Sequence, residues 1–284
     1  MANIRDIKTR IDSIKNTKQI TNAMKMVAAA KLRRSQDGII QARPYANHIN
    51  SMLRQIRARN RDIEHEVMQD SKDKTRTALI VVTSDKGLCG AFNSNIIKKA
   101  KEYIADNPET DVICLGRKGY DAIKKISSNI INKYINLFNE MDFSISKQVG
   151  EFVMNLFLSE GYGKIDVIYN EFKSAIQQDI VVKQLLPIIP EELDADKFNG
   201  SFECEPDEET LVAELANKYI DVELWRIMLE SSAAEQGARM TAMDSATENA
   251  AELIDELSLS YNRIRQAGIT KEIIEISSGA AAIN

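Results

Sequence analysis

Residues 84–95, SDKGLCGAFNSN, come nearest to a pattern that could do chemistry. They join a short apolar run to a helical run through a turn with two glycines, and a helix N-terminus at such a turn can bind phosphate. The stretch matches neither the P-loop pattern nor the dinucleotide pattern of spaced glycines, and no other stretch does. We therefore interpret it as a tight strand-to-helix turn in which Cys89 packs as a small apolar side chain. Residues 116–121, GRKGYD, receive the same interpretation.

Other residue types that support catalysis or metal binding are scarce. The chain has two histidines, His48 and His65, and three widely spaced cysteines, Cys89, Cys114 and Cys204. An odd number of distant cysteines favours a reducing compartment over a disulfide framework. The carboxylates are scattered along helical segments, which is typical of surface charge. We predict a non-catalytic chain with no cofactor and no metal site.

The middle of the chain must position whatever chemistry exists there. Residues 77–190 alternate between β-branched runs and helical runs, which is typical of an open α/β sheet with parallel strands. A helix over 144–161 is expected to be capped by Ser144 or Ser146. The flanking segments are a charged linker at 59–76 and an acidic connector at 191–206. The predicted strands are 77–85, 111–116, 131–138, 164–172 and 179–188.

Long helices are predicted at both ends, over 1–58 and 207–284. The first has an apolar seam with coiled-coil spacing, after which the apolar line shifts by less than a heptad. The second keeps to steps of three, four or seven residues. Helices of this length cannot fit inside a compact globule, so we expect them to pair and project. The first seam is Ile4, Ile7, Ile11 and Ile14, then Thr17, Ile20, Met24 and Val27; the second is Leu211, Leu215, Tyr219, Val222, Leu229, Gln236, Met240, Met243, Thr247, Ala250, Ile254, Leu257, Tyr261 and Ile264.

Charge and apolar surface indicate the partners of these helices. Residues 1–61 contain 14 Lys/Arg and 3 Asp/Glu, whereas residues 205–284 contain 6 Lys/Arg and 16 Asp/Glu. The simplest partner for each arm is the other, and the basic arm lacks the aromatic side chains that stack on nucleic-acid bases. Residues 20–34 are apolar around most of the helix, and residues 265–284 carry few charges. An apolar surface of this size predicts a protein sleeve around the pair. No apolar run is long enough to span a membrane.

Both end segments resemble the gamma-subunit family of F-type ATP synthases. The matching stretches are IRDIKTRIDSIKNTKQITNAMKMVAAAKLRR and ARMTAMDSATENAAELIDELSLSYNRIRQAGITKEIIEISSGAAA, and SDKGLCGAFN resembles the central motif of that family. The resemblance implies an antiparallel coiled coil with an inserted Rossmann-like open α/β domain. It also implies a non-catalytic rotor that couples c-ring rotation to ATP synthesis or hydrolysis in a hexamer of alpha and beta subunits. The epsilon subunit and the c-ring are the implied partners at the α/β foot.

The resemblance also implies contact residues and a location. Arg265, Gln266 and Thr270 are expected to form the catch, a polar contact with beta-subunit loops, and Glu272 is expected to support the tip of the helix pair. The beta-subunit levers, the parts of that subunit that push on the stalk, are expected to contact Met24, Lys25 and Arg239. The foot is expected to contact the c-ring through Glu203, Cys204, Glu205 and Asp207. A bacterial chain on the cytoplasmic side of the plasma membrane is expected, with proton or sodium as the coupling ion left open. The alternatives are a non-rotating coiled-coil adaptor with an α/β head and a nucleotide-dependent α/β enzyme.

Overall fold

A computed structural model describes residues 4–59, 66–68, 76–126, 129–138, 141–188 and 208–283. Five helices and five strands occur in these ranges, together with a short 3-10 helix, Glu66–Met68. None of the helices in the described ranges is both long and apolar enough to cross a membrane. In chain order the elements are α1 (Ile4–Arg59), β1 (Arg76–Val82), α2 (Phe92–Asp106), β2 (Asp111–Leu115), α3 (Arg117–Ile123), β3 (Ile130–Tyr134), α4 (Phe143–Ser159), β4 (Tyr162–Phe172), β5 (Gln178–Leu186) and α5 (Glu208–Ile283).

The chain forms two compact units. The helical unit contains the start of α1, up to residue 28, and the end of α5, from residue 240. The sheet unit contains residues 29–239, which include all five strands and the remainder of both long helices. Part of each terminal helix therefore packs with the sheet. The predicted domain bounds, by contrast, place each terminal helix entirely outside the α/β domain.

The sheet has the strand order β3-β2-β1-β4-β5. The first four strands are parallel, but β5 runs antiparallel to β4. The prediction of parallel strands throughout is therefore wrong for β5. Only residues 173–177 connect β4 to β5. A parallel crossover needs a dozen or more residues, so this short connection permits only a hairpin.

The strands pack on both faces, which explains their continuous apolar sequences. Alternate residues of β1 point to opposite sides: Ile80 joins one core and Leu79 the other. The first core contains α4 and the α5 segment from Ala216 to Met228. The second core contains the apolar face of α2 and the buried thiols of Cys89 and Cys114. The result is a three-layer sheet unit.

Helix α4 begins without the predicted serine cap. Its first residue is Phe143, and the N-cap residue Asp142 makes no side-chain capping hydrogen bond. The Ser144 hydroxyl instead donates to the Asp142 carboxylate at 2.5 Å, which lowers the pKa of Asp142. The Ser146 hydroxyl donates to the Phe143 carbonyl at 2.7 Å. Capping by Ser144 or Ser146 is therefore wrong, because both side chains are used in other contacts.

The predicted charged linker over 59–76 includes a packed segment. Val67 and Met68 are buried, and the Val67 carbonyl accepts the N–H of Ile188 at 2.7 Å. Val67 lies in the same core as β1 and α4. The described part of this linker is therefore attached to the sheet unit.

In the helical unit α1 and α5 are antiparallel. The Thr21 and Thr247 hydroxyls are hydrogen-bonded at 2.7 Å, and Lys25 donates to Asp244 at 2.5 Å. The residue numbers on α5 fall as those on α1 rise, and Ile4 accordingly lies beside Gly268. The two helices are antiparallel in the sheet unit as well, where the Ser35 and Ser232 hydroxyls are 3.0 Å apart.

The seam of α1 is a strict heptad, contrary to the predicted shift. Ile11, Thr21 and Ala28 are buried, whereas Ile20 is 60% exposed and Val27 is 56% exposed. Polar contacts determine which residues of α1 face α5 in this unit, because Thr21 is hydrogen-bonded to Thr247 and Lys25 to Asp244. The shift onto Ile20 and Val27 is therefore wrong. On α5, by contrast, the predicted line through Met243, Thr247, Ala250, Ile254, Leu257, Tyr261 and Ile264 is buried or half-buried, as expected.

Candidate functional site

The carboxyl end of β1 is where a doubly wound sheet normally binds a ligand. Strand β1 lies between β2 and β4, so the order of the strands reverses beside it. The chain fills this place itself with the buried side chain of Asp85. One Asp85 oxygen accepts the backbone N–H groups of Arg117 at 3.0 Å and Asn136 at 2.8 Å. Arg117 is the first residue of α3, so the Asp85 carboxylate occupies the N-terminus of the helix that follows the neighbouring strand β2.

The turn after β1 is closed by hydrogen bonds among its own side chains. Asn93 donates to the Ser84 hydroxyl at 2.7 Å and accepts the Ser84 backbone N–H at 3.0 Å. Cys89 is 1% exposed in the core beside them, and burial raises the pKa of its thiol. Burial also raises the pKa of Cys114 to about 12. The prediction that Cys89 packs as a small apolar side chain is confirmed, and neither thiol has the low pKa of a nucleophile.

Arg239 holds this turn from α5. Its guanidinium donates to Glu235 at 2.6 Å and to the Gly87 carbonyl at 3.2 Å, and the residue is buried. Burial raises the pKa of Glu235, and the neighbouring positive charge of Arg239 opposes that rise. The side chain selected as a lever contact is thus directed to the interior of the sheet unit.

Leu88 is an exposed apolar residue of the same turn, and it is not among the contacts predicted from the sequence. It has a φ of 62° and is 64% exposed. A left-handed backbone is unusual for leucine, so the surrounding bonds must hold it. Its position between Gly87 and Cys89 in a turn is the signal that could have identified it.

The helical unit contains six of the remaining predicted contact residues. Met24 and Lys25 are half-buried on α1, and the Lys25 ammonium is paired with Asp244. On α5 the four residues of the predicted tip are all exposed: Arg265, Gln266, Thr270 and Glu272.

The four tip residues form two groups around α5. Thr270 donates to the Gln266 carbonyl at 2.9 Å, so these two lie one above the other. At about 100° per residue, Gln266 lies opposite the seam, while Arg265 and Glu272 share a flank beside it. The predicted foot contacts at Glu203, Cys204, Glu205 and Asp207 lie outside the described residues.

The helical unit has a large apolar surface. The exposed side chains are aliphatic, and several follow one another within two turns of α5. Single exposed apolar residues are normal, but a group of this size marks a binding surface. They are Ile20, Met26 and Val27 on α1, and Leu253, Leu259, Ile269, Ile273, Ile274 and Ile276 on α5.

Within the described ranges, no group of three or more His, Cys, Asp or Glu side chains could hold a metal ion. The features that remain are a sheet unit whose usual ligand site is filled internally and a helical unit with an apolar exterior.

Known proteins share both units. A family model described as ATP synthase matches residues 3–283. The ATP synthase gamma chain of Chloroherpeton thalassium is 44% identical over 301 residues, which cover 100% of this chain and 99% of the relative. The ATP synthase gamma chain of Cytophaga hutchinsonii is 44% identical over 294 residues, which cover 100% of both chains.

Solved structures agree in fold. A chain in the central stalk and c-ring structure of the Tetrahymena thermophila mitochondrial ATP synthase is 26% identical, with a TM-score of 0.63 over 80% of this chain and 99% of that one. A chain in the Euglena gracilis mitochondrial ATP synthase is 22% identical, with a TM-score of 0.69 over 99% of this chain and 94% of that one, and supports the fold alone. The full-length match to the family model and to these relatives shows that the chain belongs to the ATP synthase gamma-chain family.

Proposed function

We propose that this chain is the non-catalytic central-stalk subunit of an F-type ATP synthase. It couples rotation of the c-ring to conformational change, and so to ATP synthesis or hydrolysis, in the alpha/beta hexamer. The observation that carries the proposal is the helical unit, in which polar pairs lie in the seam of an antiparallel helix pair while many aliphatic side chains remain exposed on its outer surface. That arrangement belongs to a helix pair that is surrounded by other subunits, and it occurs in a chain of the gamma family.

The seam gives the pair a fixed register. Polar groups at coiled-coil core positions select one alignment, because sliding would leave them without partners. The Thr21–Thr247 and Lys25–Asp244 pairs act in this way. A fixed register keeps the outer faces of α1 and α5 in the same position relative to each other. A rotor needs this because a given rotation angle must always turn the same side chains towards a given neighbouring subunit.

The outer faces differ, and this difference is what a rotor uses. One side of α5 presents Gln266 and Thr270, whereas Ile20 and Val27 of α1 present only methyl groups. A contact can bias a neighbouring subunit only by binding one of its conformations better than another. By linkage, nucleotide binding in that subunit then favours one angle of the stalk.

The residue assignments follow from this proposal. Arg265, Gln266 and Thr270 catch beta-subunit loops, Glu272 supports the tip, and Met24 and Lys25 meet beta-subunit levers. Arg239 is assigned to the same lever region, where its guanidinium also holds the turn that exposes Leu88. The region Glu203 to Asp207 contacts the c-ring, beside the epsilon subunit. The assembly works at the cytoplasmic side of a bacterial plasma membrane.

A single-molecule experiment tests the proposal. The complex is reconstituted with the hexamer fixed to a surface and a bead on the sheet unit, and ATP is added. Unidirectional turning is expected. A complex that assembles and hydrolyses ATP without turning the bead would identify a static adaptor.

The tip assignment has a matched control. Gln266→Ala is expected to lower ATPase turnover or coupling severalfold, and Asn262→Ala, one turn earlier and also exposed, is expected to change neither. Circular dichroism of the isolated chain should be the same for both variants. Equal activities would remove Gln266 from the catch.

A further inference from the structure

The sheet unit contains a cavity that the proposed function does not use. It has a volume of about 670 Å³ and lies between α1, α5 and the segment that follows β3. This volume is within the range of pockets that bind organic molecules. Its lining combines apolar and aromatic side chains with two cationic ones.

The apolar wall of the cavity includes one member of an aromatic pair. Trp225 packs edge-on against Phe143, with ring centroids 6.0 Å apart and an interplanar angle of 87°. Aromatic pairs in this arrangement are favourable and hold the indole in one orientation. Leu229 lies in the same wall, and a Cβ at Gly38 would be only 3.0 Å from its methyl carbon. Phe138 and Met141 complete the apolar lining.

The cationic part of the lining comes from one face of α1. Lys31 and Arg34 are three residues apart, so their side chains are neighbours on the helix. Both are exposed, and neither forms a direct ion pair or hydrogen bond within the described residues. The positive charge of Lys31 nevertheless acts on the buried Glu235 carboxyl and opposes the rise in its pKa. Two acids also line the cavity. Asp142 is engaged by the Ser144 hydroxyl, and Asp37 lies one turn beyond Arg34.

The positions of the ring and the charge define the size of a ligand. Gly38 of α1 and Leu229 of α5 lie side by side at the same height along the helix pair. Trp225 precedes Leu229 by four residues, and Arg34 precedes Gly38 by four residues. Because the helices are antiparallel, these two residues lie on opposite sides of the Gly38–Leu229 contact. At 1.5 Å per residue, the indole and the guanidinium-bearing residue are separated by about 12 Å along the helices.

We propose that this cavity binds an elongated aromatic anion. Its ring packs against Trp225 and Leu229, and its carboxylate or sulfonate accepts hydrogen bonds from Arg34 with Lys31 beside it. A guanidinium binds such groups through two parallel hydrogen bonds, and Arg34 forms no ion pair or hydrogen bond within the described residues that would compete. The proposal concerns the sheet unit alone and does not depend on rotation.

Fluorescence of the full-length chain tests the site, because Trp225 is its only tryptophan. The probe is 8-anilino-1-naphthalenesulfonate, which has an aromatic body and one anionic group. Titration is expected to quench Trp225 with a one-to-one saturable curve. Arg34→Ala is expected to weaken binding at least fivefold. Arg33→Ala, the adjacent exposed arginine outside the lining, is expected to leave the dissociation constant within twofold.

Three outcomes would overturn the proposal. The first is quenching that does not saturate, and the second is equal weakening by the Arg33 and Arg34 variants. The third is equally tight binding of the uncharged analogue N-phenyl-1-naphthylamine, since the cations would then contribute nothing. Circular dichroism verifies that the variants are folded. Lys31→Ala provides a second test at the same face if Arg34→Ala is unstable.

Discussion

Replacing Asp85 with alanine tests whether the ligand place of the sheet is filled by the chain itself. The carboxylate is buried and accepts three backbone N–H groups, from Arg117 at 3.0 Å, Asn136 at 2.8 Å and Phe138 at 3.4 Å. These donors belong to α3 and to the segment after β3. Asp85→Ala therefore leaves three donors without their acceptor at once.

The expected loss can be estimated from the two short bonds. A hydrogen bond to a charged group contributes about 1.5–3 kcal/mol, and the 3.4 Å contact contributes little. Removal of the carboxylate also relieves the cost of burying it, so we expect a net loss of about 3 kcal/mol. Asp85→Asn keeps one carbonyl oxygen for Arg117 and Asn136 and should lose about 1 kcal/mol.

Urea denaturation of the full-length chain measures these losses, and hydrogen exchange at the Arg117 and Asn136 amides locates them. Exchange at both amides should accelerate in Asp85→Ala. Asp106→Ala, an exposed aspartate at the end of α2, is the control and should change stability by less than about 0.5 kcal/mol. A loss below about 1 kcal/mol for Asp85→Ala, with unchanged exchange, would refute the reasoning.

Three further predictions concern other positions. Gly116→Ala should cost more than about 3 kcal/mol in urea denaturation, because φ is 104° and the new Cβ would lie 2.0 Å from the Thr83 carbonyl oxygen. Burial raises the pKa of Asp221 to about 6, so stability should fall as the pH rises from about 4 through 6. Asp221→Asn should remove that fall and be about 1 kcal/mol more stable at pH 7.5, after allowance for solvent screening. Lys25→Ala should cost less than about 1 kcal/mol, and less still in high salt, because its ion pair with Asp244 is partly exposed.

Much of the fold could be predicted from the sequence, because the central strands are β-branched runs and the helical pattern of α1 resumes after Gly38 and Pro44. The antiparallel β5 was also accessible: residues 173–177 are too few for a crossover, and loop length carries that information. The α1 seam was missed for a different reason. An apolar count favours Ile20 and Val27, whereas the fold selects Thr21 and Lys25, whose partners are more than 200 residues away on α5.

The sequence indicates where the sheet could bind a ligand, but it does not show that hydrogen bonds within the chain occupy that position. Residues 84–95 have the form of a turn at which a phosphate can bind, although they match no phosphate-binding motif. The groups that close it come from elsewhere: Arg117 and Asn136 give their N–H groups to Asp85, and Arg239 reaches the Gly87 carbonyl from α5. No local pattern specifies such long-range bonds. For the same reason the sequence does not show that the Arg239 guanidinium donates hydrogen bonds inside the sheet unit.

The exposed aliphatic residues of α1 indicate that a partner covers this helix, and they do not result from poor packing between α1 and α5. Rotating α1 by about 100° would bring Ile20 to the place of Thr21. Burial of an isoleucine or valine side chain is worth about 1.5–3 kcal/mol, so the isolated pair forgoes this stabilisation at Ile20 and again at Val27. It keeps polar pairs that fix one register instead. Only a surface that covers α1 from outside can recover the lost burial, and the hexamer of the proposed function is a partner that would do so.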